Sequence, residues 1–354
     1  MNIQVYGYMC HQGSVPKITS AWIDNFIQNG HNVKFFDYSS VACSEPKYRS
    51  ILGLHNPASN LAFYFGSPSN MHFSGELLKG HKYKVGVYVS ELDLSAKEKY
   101  WLDNTKHTLI VTPSNYCNLI FKHGITNYTP QFMIVHHGID SEYGIIDTPK
   151  FEKFTYLYIF YNSPTGGTHI RKNLIELLKA FKTLRSCIDV RLYVKTSSNI
   201  QIDLKQLSSE YDPTGSVIFD ILHPSTQEIC TLYNKSHIYI NPSRAEGFGS
   251  CPLEAMACGL PVVSTIHTGL AEYLSPDNCV EIPSKKGNEP FKYATNYGCL
   301  RDVLNNDIYE KMRFAYDNYK NLNIKSLSMA SSVKGGYNWN NCLREINDWI
   351  NRCH

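Results

Sequence analysis

Net charge is what this 354-residue chain has least of: Lys and Arg number 34 against 31 Asp and Glu, a formal balance of +3. No basic field of the kind that gathers nucleic acid follows from that. Eleven cysteines are scattered from Cys10 to Cys353, yet no two stand as CxxC. The pattern argues against a zinc module or a disulfide framework and fits a reducing, cytoplasmic setting. There is no run of 18 uninterrupted apolar residues, and the first basic residue is Lys17, so neither a membrane span nor a secretory leader is expected. At most a peripheral membrane contact remains, through the basic stretch Lys79–Lys84, for which a solvated loop is the plainer reading. GxGxxG is missing after the first strand and after Tyr161, and GxxxxGK[ST], GxSxG and HExxH are absent throughout. These absences speak against a dinucleotide dehydrogenase, a P-loop ATPase, a nucleophile-elbow hydrolase and a zincin.

What is present is a chain that folds: 43% of residues are apolar, which excludes disorder, and the length fits two domains. Ile3–Tyr8 reads as a strand, Ile18–Asn29 as a helix ending at Gly30, and Asn32–Phe36 as the next strand. That β–loop–α–β opening builds parallel sheets with helices on both faces. Leu61–Phe65, Lys84–Val89, Leu109–Thr112 and Phe132–Val135 continue the strands, with Tyr116–Lys122 as a short helix. A period-free stretch, Ser141–Lys153, marks a junction, and the same grammar restarts beyond it. Thr155–Tyr161 is a strand, Arg171–Leu184 an amphipathic helix, and Val190–Val194, Val217–Phe219 and His237–Asn241 are strands, with a helix over Gln227–Asn234. The expected fold class is α/β, two Rossmann-like domains facing each other across a cleft: residues 1–150, residues 151–335, and a C-terminal helical segment, 336–354, able to pack back on the first.

Chemistry concentrates in Ile238–Thr265. The segment reads as a buried strand, a loop carrying Glu246, Gly247, Phe248 and Gly249, and a short helix with Ser250, Cys251 and Glu254 near its start. Gly259 and Pro261 end that helix before a second buried strand. Ligands of such sheets bind at the carboxyl ends of strands, glycine permits close backbone approach, and a helix start attracts phosphate. Carboxylates accept hydrogen bonds, which suits hydroxyl-rich ligands such as sugars and ribose. The plain alternative is a solvated loop acid plus an acid favoured by the helix dipole.

With Glu246 and Glu254 eight positions apart in EGFGSCPLEAMACGLPVV, the segment resembles the retaining glycosyltransferases of the two-Rossmann (GT-B) architecture, in particular the sucrose-synthase-like family. The likeness is strong over roughly residues 155–275 and loose over the first 150. It implies that Glu254 binds the ribose of a nucleotide-sugar donor, UDP- or GDP-linked, and that Glu246 sits at the donor sugar. It also implies that Arg171 and Lys172 hold the diphosphate as it leaves, although the family's Gly-Arg after the preceding strand is replaced here by Asn162-Ser163. Gly13 and Ser14 occupy the place of the family's glycine pair near the diphosphate.

No metal and no separate cofactor is implied, the nucleotide sugar being the substrate; the partner molecules are that donor and a hydroxyl acceptor. The acceptor side is expected in the first domain, with Glu91, His11 and His72 as candidates. Two rivals stand beside this reading. One is a non-catalytic relative that binds sugar nucleotides. The other is a metal-dependent glycosyltransferase using Glu91 and Asp93, two acids at a strand end.

Overall fold

The computed structural model describes residues 1–8, 14–38, 46–53, 59–161, 167–197, 202–222, 225–288, 290–293 and 296–353. Contacts divide the chain into two compact units, the first built on Met1–Gly138 and the second on Ile139–Ala294 with Gly298–Gly336. Tyr337–His354 belongs to the first unit. The division falls between Gly138 and Ile139, ahead of the period-free stretch that marks the junction in the sequence.

The first unit holds a six-stranded sheet of β1 (Asn2–Gly7), β2 (Asn32–Asp37), β3 (Leu61–Gly66), β4 (Tyr83–Tyr88), β5 (Leu109–Thr112) and β6 (Gln131–Ile134), in the order β2-β1-β3-β4-β5-β6. Every pairing is parallel. Parallel strands are covered on both faces, which is why Leu61–Gly66 is a buried apolar run rather than an alternating one. Helix α1 (Ser14–Gln28) sends Trp22, Ile23 and Phe26 into one face, where Leu343, Ile346 and Ile350 join them. Three of these C-terminal positions fall at helical spacing, and Trp349 Nε1 donates to Gln131 Oε1 at 2.9 Å. The opposite face is a layer of tyrosines under α2 (His72–Leu77), α3 (Ala96–Thr105) and α4 (Asn115–Gly124), including Tyr6, Tyr64 and Tyr88. Two of their hydroxyls meet imidazoles, Tyr6 on His81 at 2.9 Å and Tyr88 on His107 at 2.8 Å.

The second unit takes β7 (Thr155–Ile159), β8 (Arg191–Lys195), β9 (Val217–Asp220), β10 (Ile238–Asn241), β11 (Val262–Ser264) and β12 (Val280–Glu281) in the order β12-β11-β10-β7-β8-β9. All its recorded pairings are parallel too. Chain order therefore reverses between β7 and β10, the topological switch point at which α/β sheets bind ligands. Both units are Rossmann-like parallel sheets, as the sequence predicts. After β7 comes a short α5 (Thr168–Arg171), then α6 (Leu174–Cys187), α7 (Leu204–Tyr211) after β8, α8 (Thr226–Lys235) after β9 and α9 (Ser250–Ala257) after β10. Two further helices, α10 (Asn305–Asp317) and α11 (Tyr319–Gly336), close the unit, and α10 buries Ile308, Met312 and Ala315 in the core that α6 also faces. The chain ends in α12 (Trp339–Cys342) and α13 (Arg344–Asn351). Among the described residues no helix is long and apolar enough to cross a membrane.

Four histidines are held neutral. Burial lowers His107 and His137 to about 3, and His237 and His267 to about 4, from an ordinary 6.5. The unfolded chain takes up these protons first, so acid favours unfolding as soon as the pH drops through the ordinary value. The thermal midpoint is accordingly expected to fall steadily from about pH 6.5 toward pH 4, before the carboxylates titrate. A midpoint that stays level across that interval contradicts the assignment.

Candidate active site at the switch point

Arg171 and Lys172 follow β7, Glu246 follows β10, and the reversal of strand order brings these segments side by side although they lie 74 residues apart. The sequence predicts one helix from Arg171 to Leu184. Instead the chain breaks between α5 and α6: Asn173 adopts the left-handed conformation, φ 63°, and its amide donates to Val303 O at 3.0 Å. Asparagine tolerates that conformation better than other non-glycine residues. The break sets Lys172 on a corner, where Tyr158 donates to its carbonyl at 2.8 Å. From there Lys172 Nζ reaches Glu246 Oε1.

Glu246 is 4% exposed and is the hub. Its Oε1 also accepts from Ser243 Oγ at 2.6 Å, and its Oε2 accepts from Arg171 at 3.1 Å. The same Arg171 nitrogen donates to Ala245 O at 2.7 Å, and the Arg244 amide donates to Arg171 O at 2.8 Å. Burial opposes a charge on Glu246, but Lys172 and Arg171 win and hold its carboxyl down to about 2. The acid is thus ionised at any physiological pH.

The loop around Glu246 is gripped from the far side by the segment after β11. Thr268 Oγ1 accepts the Glu246 amide at 3.0 Å and donates to His267 O at 2.7 Å, while the Gly269 amide donates to Glu246 O at 2.9 Å. Thr268 holds φ 53°, a left-handed conformation that a β-branched residue rarely adopts. Gly269 has no alternative, because a Cβ there would stand 2.2 Å from Gly247 O. His267 completes the grip with Nε2 at 3.0 Å from Ser243 O. Phe248 turns inward, its ring 5.3 Å from that of Tyr273, so it offers the loop's outer surface its backbone rather than its side chain.

Gly249 begins α9 in the left-handed conformation, φ 84°. Helix α9 therefore starts at Ser250, and Glu254 is its fifth residue, in the second turn rather than near the start as the sequence reading has it. Pro252 still falls within the first turn, where no amide donor is needed. Glu254 is buried and its Oε2 accepts from Tyr233 at 3.1 Å; the same hydroxyl lies 3.1 Å from Cys251 O. One acid is thus tied to cations and the other to a neutral hydroxyl. Ser250 and Cys251 are partly exposed at the helix start.

In the first unit, Glu91 lies just past the carboxyl end of β4, with its carbonyl accepting from Tyr116 at 2.9 Å. His72 opens α2 and is exposed, its ring 5.0 Å from that of Trp101. Ser14 opens α1, while His11 and Gly13 lie outside the described residues. Among the described residues no group of three His, Cys, Asp or Glu side chains is arranged to hold a metal ion, so Glu91 and Asp93 have no third ligand beside them. Sequence reasoning missed Ser243, Thr268 and Tyr233. Ser243 lies within Ile238–Thr265 and Tyr233 within the helix read over Gln227–Asn234, but nothing in the spelling marks either as a partner of a glutamate, and nothing announces a left-handed threonine at 268.

The site lies inside a recognised segment. Residues 166–286 match the family model for glycosyl transferases group 1. Sucrose-phosphate synthase of Spinacia oleracea is 33% identical over 115 residues, covering 28% of this chain but 11% of that protein. The gpi3 subunit of the phosphatidylinositol N-acetylglucosaminyltransferase of Schizosaccharomyces pombe is 26% identical over 152 residues, 42% of this chain and 28% of its own. Among solved structures, the sucrose-phosphate synthase of Thermosynechococcus elongatus superposes with a TM-score of 0.71 at 14% identity, over 99% of this chain and 98% of that one. HepE of Anabaena, solved with UDP and glucose, gives 0.73 at 12% identity over 99% of this chain and 100% of its own. The fold of the whole chain is that of these two-domain GT-B proteins.

Two substitutions separate strain from hydrogen bonding at Thr268. Thr268→Val keeps the left-handed strain and removes the acceptor for the Glu246 amide, and is expected to cost about 1–2 kcal/mol. Thr268→Gly removes the acceptor but also the strain, so the two changes offset and stability stays within about 1 kcal/mol of the parent. Chemical denaturation of both variants checks this; equal losses would show that the strained backbone carries no cost.

Proposed function

We propose that the chain is a retaining glycosyltransferase, moving a sugar from a nucleotide-sugar donor to a hydroxyl acceptor without a metal ion. The observation that carries the reading is the pair Arg171–Lys172 packed against Glu246 at the β7/β10 reversal, within a segment that matches a glycosyltransferase family model. Two adjacent cations on a strand-end corner suit a diphosphate, because charge-assisted hydrogen bonds to phosphate strengthen as charge develops on the leaving group. Glu254, which accepts from the neutral hydroxyl of Tyr233, suits ribose, and Glu246 suits the hydroxyls of the sugar. The donor is UDP- or GDP-linked; the existence of HepE complexes with UDP-glucose supports the former.

In this reading the bond from the anomeric carbon to the diphosphate oxygen breaks while a bond to the acceptor oxygen forms on the same face. The acceptor's proton passes to the departing phosphate, and Lys172 and Arg171 stabilise the charge that remains. Gly247, Gly249, Ser250 and Cys251 line the donor side through the loop and the start of α9. Glu91, His11 and His72 belong to the acceptor side of the first unit. The cytoplasm suits a chain whose described cysteines are all free thiols.

Lys172→Ala is expected to lower kcat/KM by about 10²–10³ if the ammonium stabilises transition-state charge. The measurement is initial-rate transfer or donor hydrolysis over a panel of UDP- and GDP-sugars, run with and without EDTA. A near-parental rate removes Lys172 from the mechanism, and loss of activity in EDTA refutes the metal-free reading. Glu254→Ala is expected to raise the KM for the donor by about tenfold or more, with the folding transition retained, since Tyr233 keeps Cys251 O as an acceptor when the carboxylate is removed. A collapsed transition would make Glu254 a structural acid.

A further inference from the structure

We infer that Glu246 is also a latch on the diphosphate grip: the carboxylate occupies the very cations that the donor's phosphates need, and yields them only to a ligand that brings sugar hydroxyls in exchange. This rests on the reading of Arg171 and Lys172 as the diphosphate grip. The geometry makes the competition direct. Glu246 takes Lys172 on one oxygen and Arg171 on the other, while Ser243 fills a further acceptor position at 2.6 Å. Arg171 and Glu246 side chains are each 6% exposed and that of Lys172 is 14% exposed, so water does little to screen the cluster.

A phosphate that draws Lys172 and Arg171 away leaves a buried carboxylate without its cations, and an uncompensated buried charge is costly. Ser243 alone does not replace two charges. A donor that presents sugar hydroxyls beside its diphosphate supplies the missing hydrogen-bond donors to Glu246, so the exchange closes with every group partnered. A nucleoside diphosphate without its sugar leaves the carboxylate uncompensated. The latch therefore favours the intact donor over the leaving product, and helps expel that product once the sugar has gone. The Glu246 backbone, held by Thr268 and Gly269, keeps the carboxylate within reach of the cations while they change partners.

Inorganic pyrophosphate tests this, because it has the charge of the leaving group and no sugar. Titration calorimetry on the full chain is expected to give pyrophosphate binding about tenfold or more tighter in Glu246→Gln than in the parent, because a neutral amide no longer competes for the cations. Asp302→Asn, which removes one negative charge from the exposed Arg244 pair of the same unit, is expected to leave the affinity at the parental value. Equal or weaker binding in Glu246→Gln, or the same gain in Asp302→Asn, overturns the latch. Should Glu246→Gln lose its thermal transition, Glu246→Asp retains the charge but cannot span both cations. A smaller gain is expected there, and an unchanged affinity overturns the latch. Adding Lys172→Ala to Glu246→Gln separates the two levels of the argument: it should abolish the gain, and a gain that survives it overturns the diphosphate grip itself. A Lys172→Ala single variant that weakens pyrophosphate binding, with no gain in Glu246→Gln, overturns the latch alone.

Discussion

Everything at the switch point depends on one carboxylate kept ionised where water hardly reaches. Glu246 carries its charge in a buried position because two cations and a serine hydroxyl surround it, and each cation is buried because the carboxylate is there. Such a cluster tolerates little error in geometry, since its desolvation cost is repaid only at hydrogen-bonding distance. The unusual backbone of the second unit gathers around it accordingly. Asn173 and Thr268 are two of the three non-glycine residues with positive φ among the described residues, and Gly249 adds a third left-handed turn nearby. Strain of this kind persists where surrounding structure over-determines it. Here the tyrosine under Lys172 and the segment after β11 do so.

Sheet order is what allows the cluster to exist. Arg171 and Lys172 belong to the connection leaving β7 toward β8, and Glu246 to the connection leaving β10 toward β11, on the other side of the reversal. In a sheet wound in one direction those two connections would be separated by strands. Because β7 and β10 pair directly, with Ile238 opposite Tyr156, both loops emerge from adjacent strand ends. Local sequence supplies the residues, and the order of strands makes them neighbours.

This division explains which parts were legible beforehand. The strands, being buried runs of Leu, Val, Ile, Phe and Tyr, declare themselves, as does the amphipathic face of α6. Glu246 and Glu254 could be read because they share one segment, whose glycines and proline punctuate a strand, a loop and a helix. Lys172 was legible as a charge but not as a corner: the apolar spacing of α6 runs on through Asn173 without a mark, and the break comes from an asparagine whose amide is claimed by Val303, 130 residues away. Helices α10 and α11 left little trace, since α10 buries few large side chains and α11 buries only Ala330. Ser243 and Thr268 were invisible for a different reason. Both are common loop residues, and what distinguishes them is which atom of Glu246 they touch.

The two glutamates also illustrate why a motif's spacing underdetermines its chemistry. Eight positions apart, they look equivalent in the sequence, but the structure gives them partners of opposite character. Glu246 is bound to positive charge, so anything that draws on those cations must come to terms with it. Glu254 accepts from Tyr233, a neutral donor whose burial makes loss of its own proton very unfavourable. Exchanging one hydroxyl donor for another costs little, whereas exchanging two cations for hydroxyls is a change of electrostatic state. The second acid can therefore serve recognition of a hydroxyl-rich group with little reorganisation. The first is coupled to whatever charge the neighbouring cations hold, and that coupling makes it responsive to any anion that draws on them.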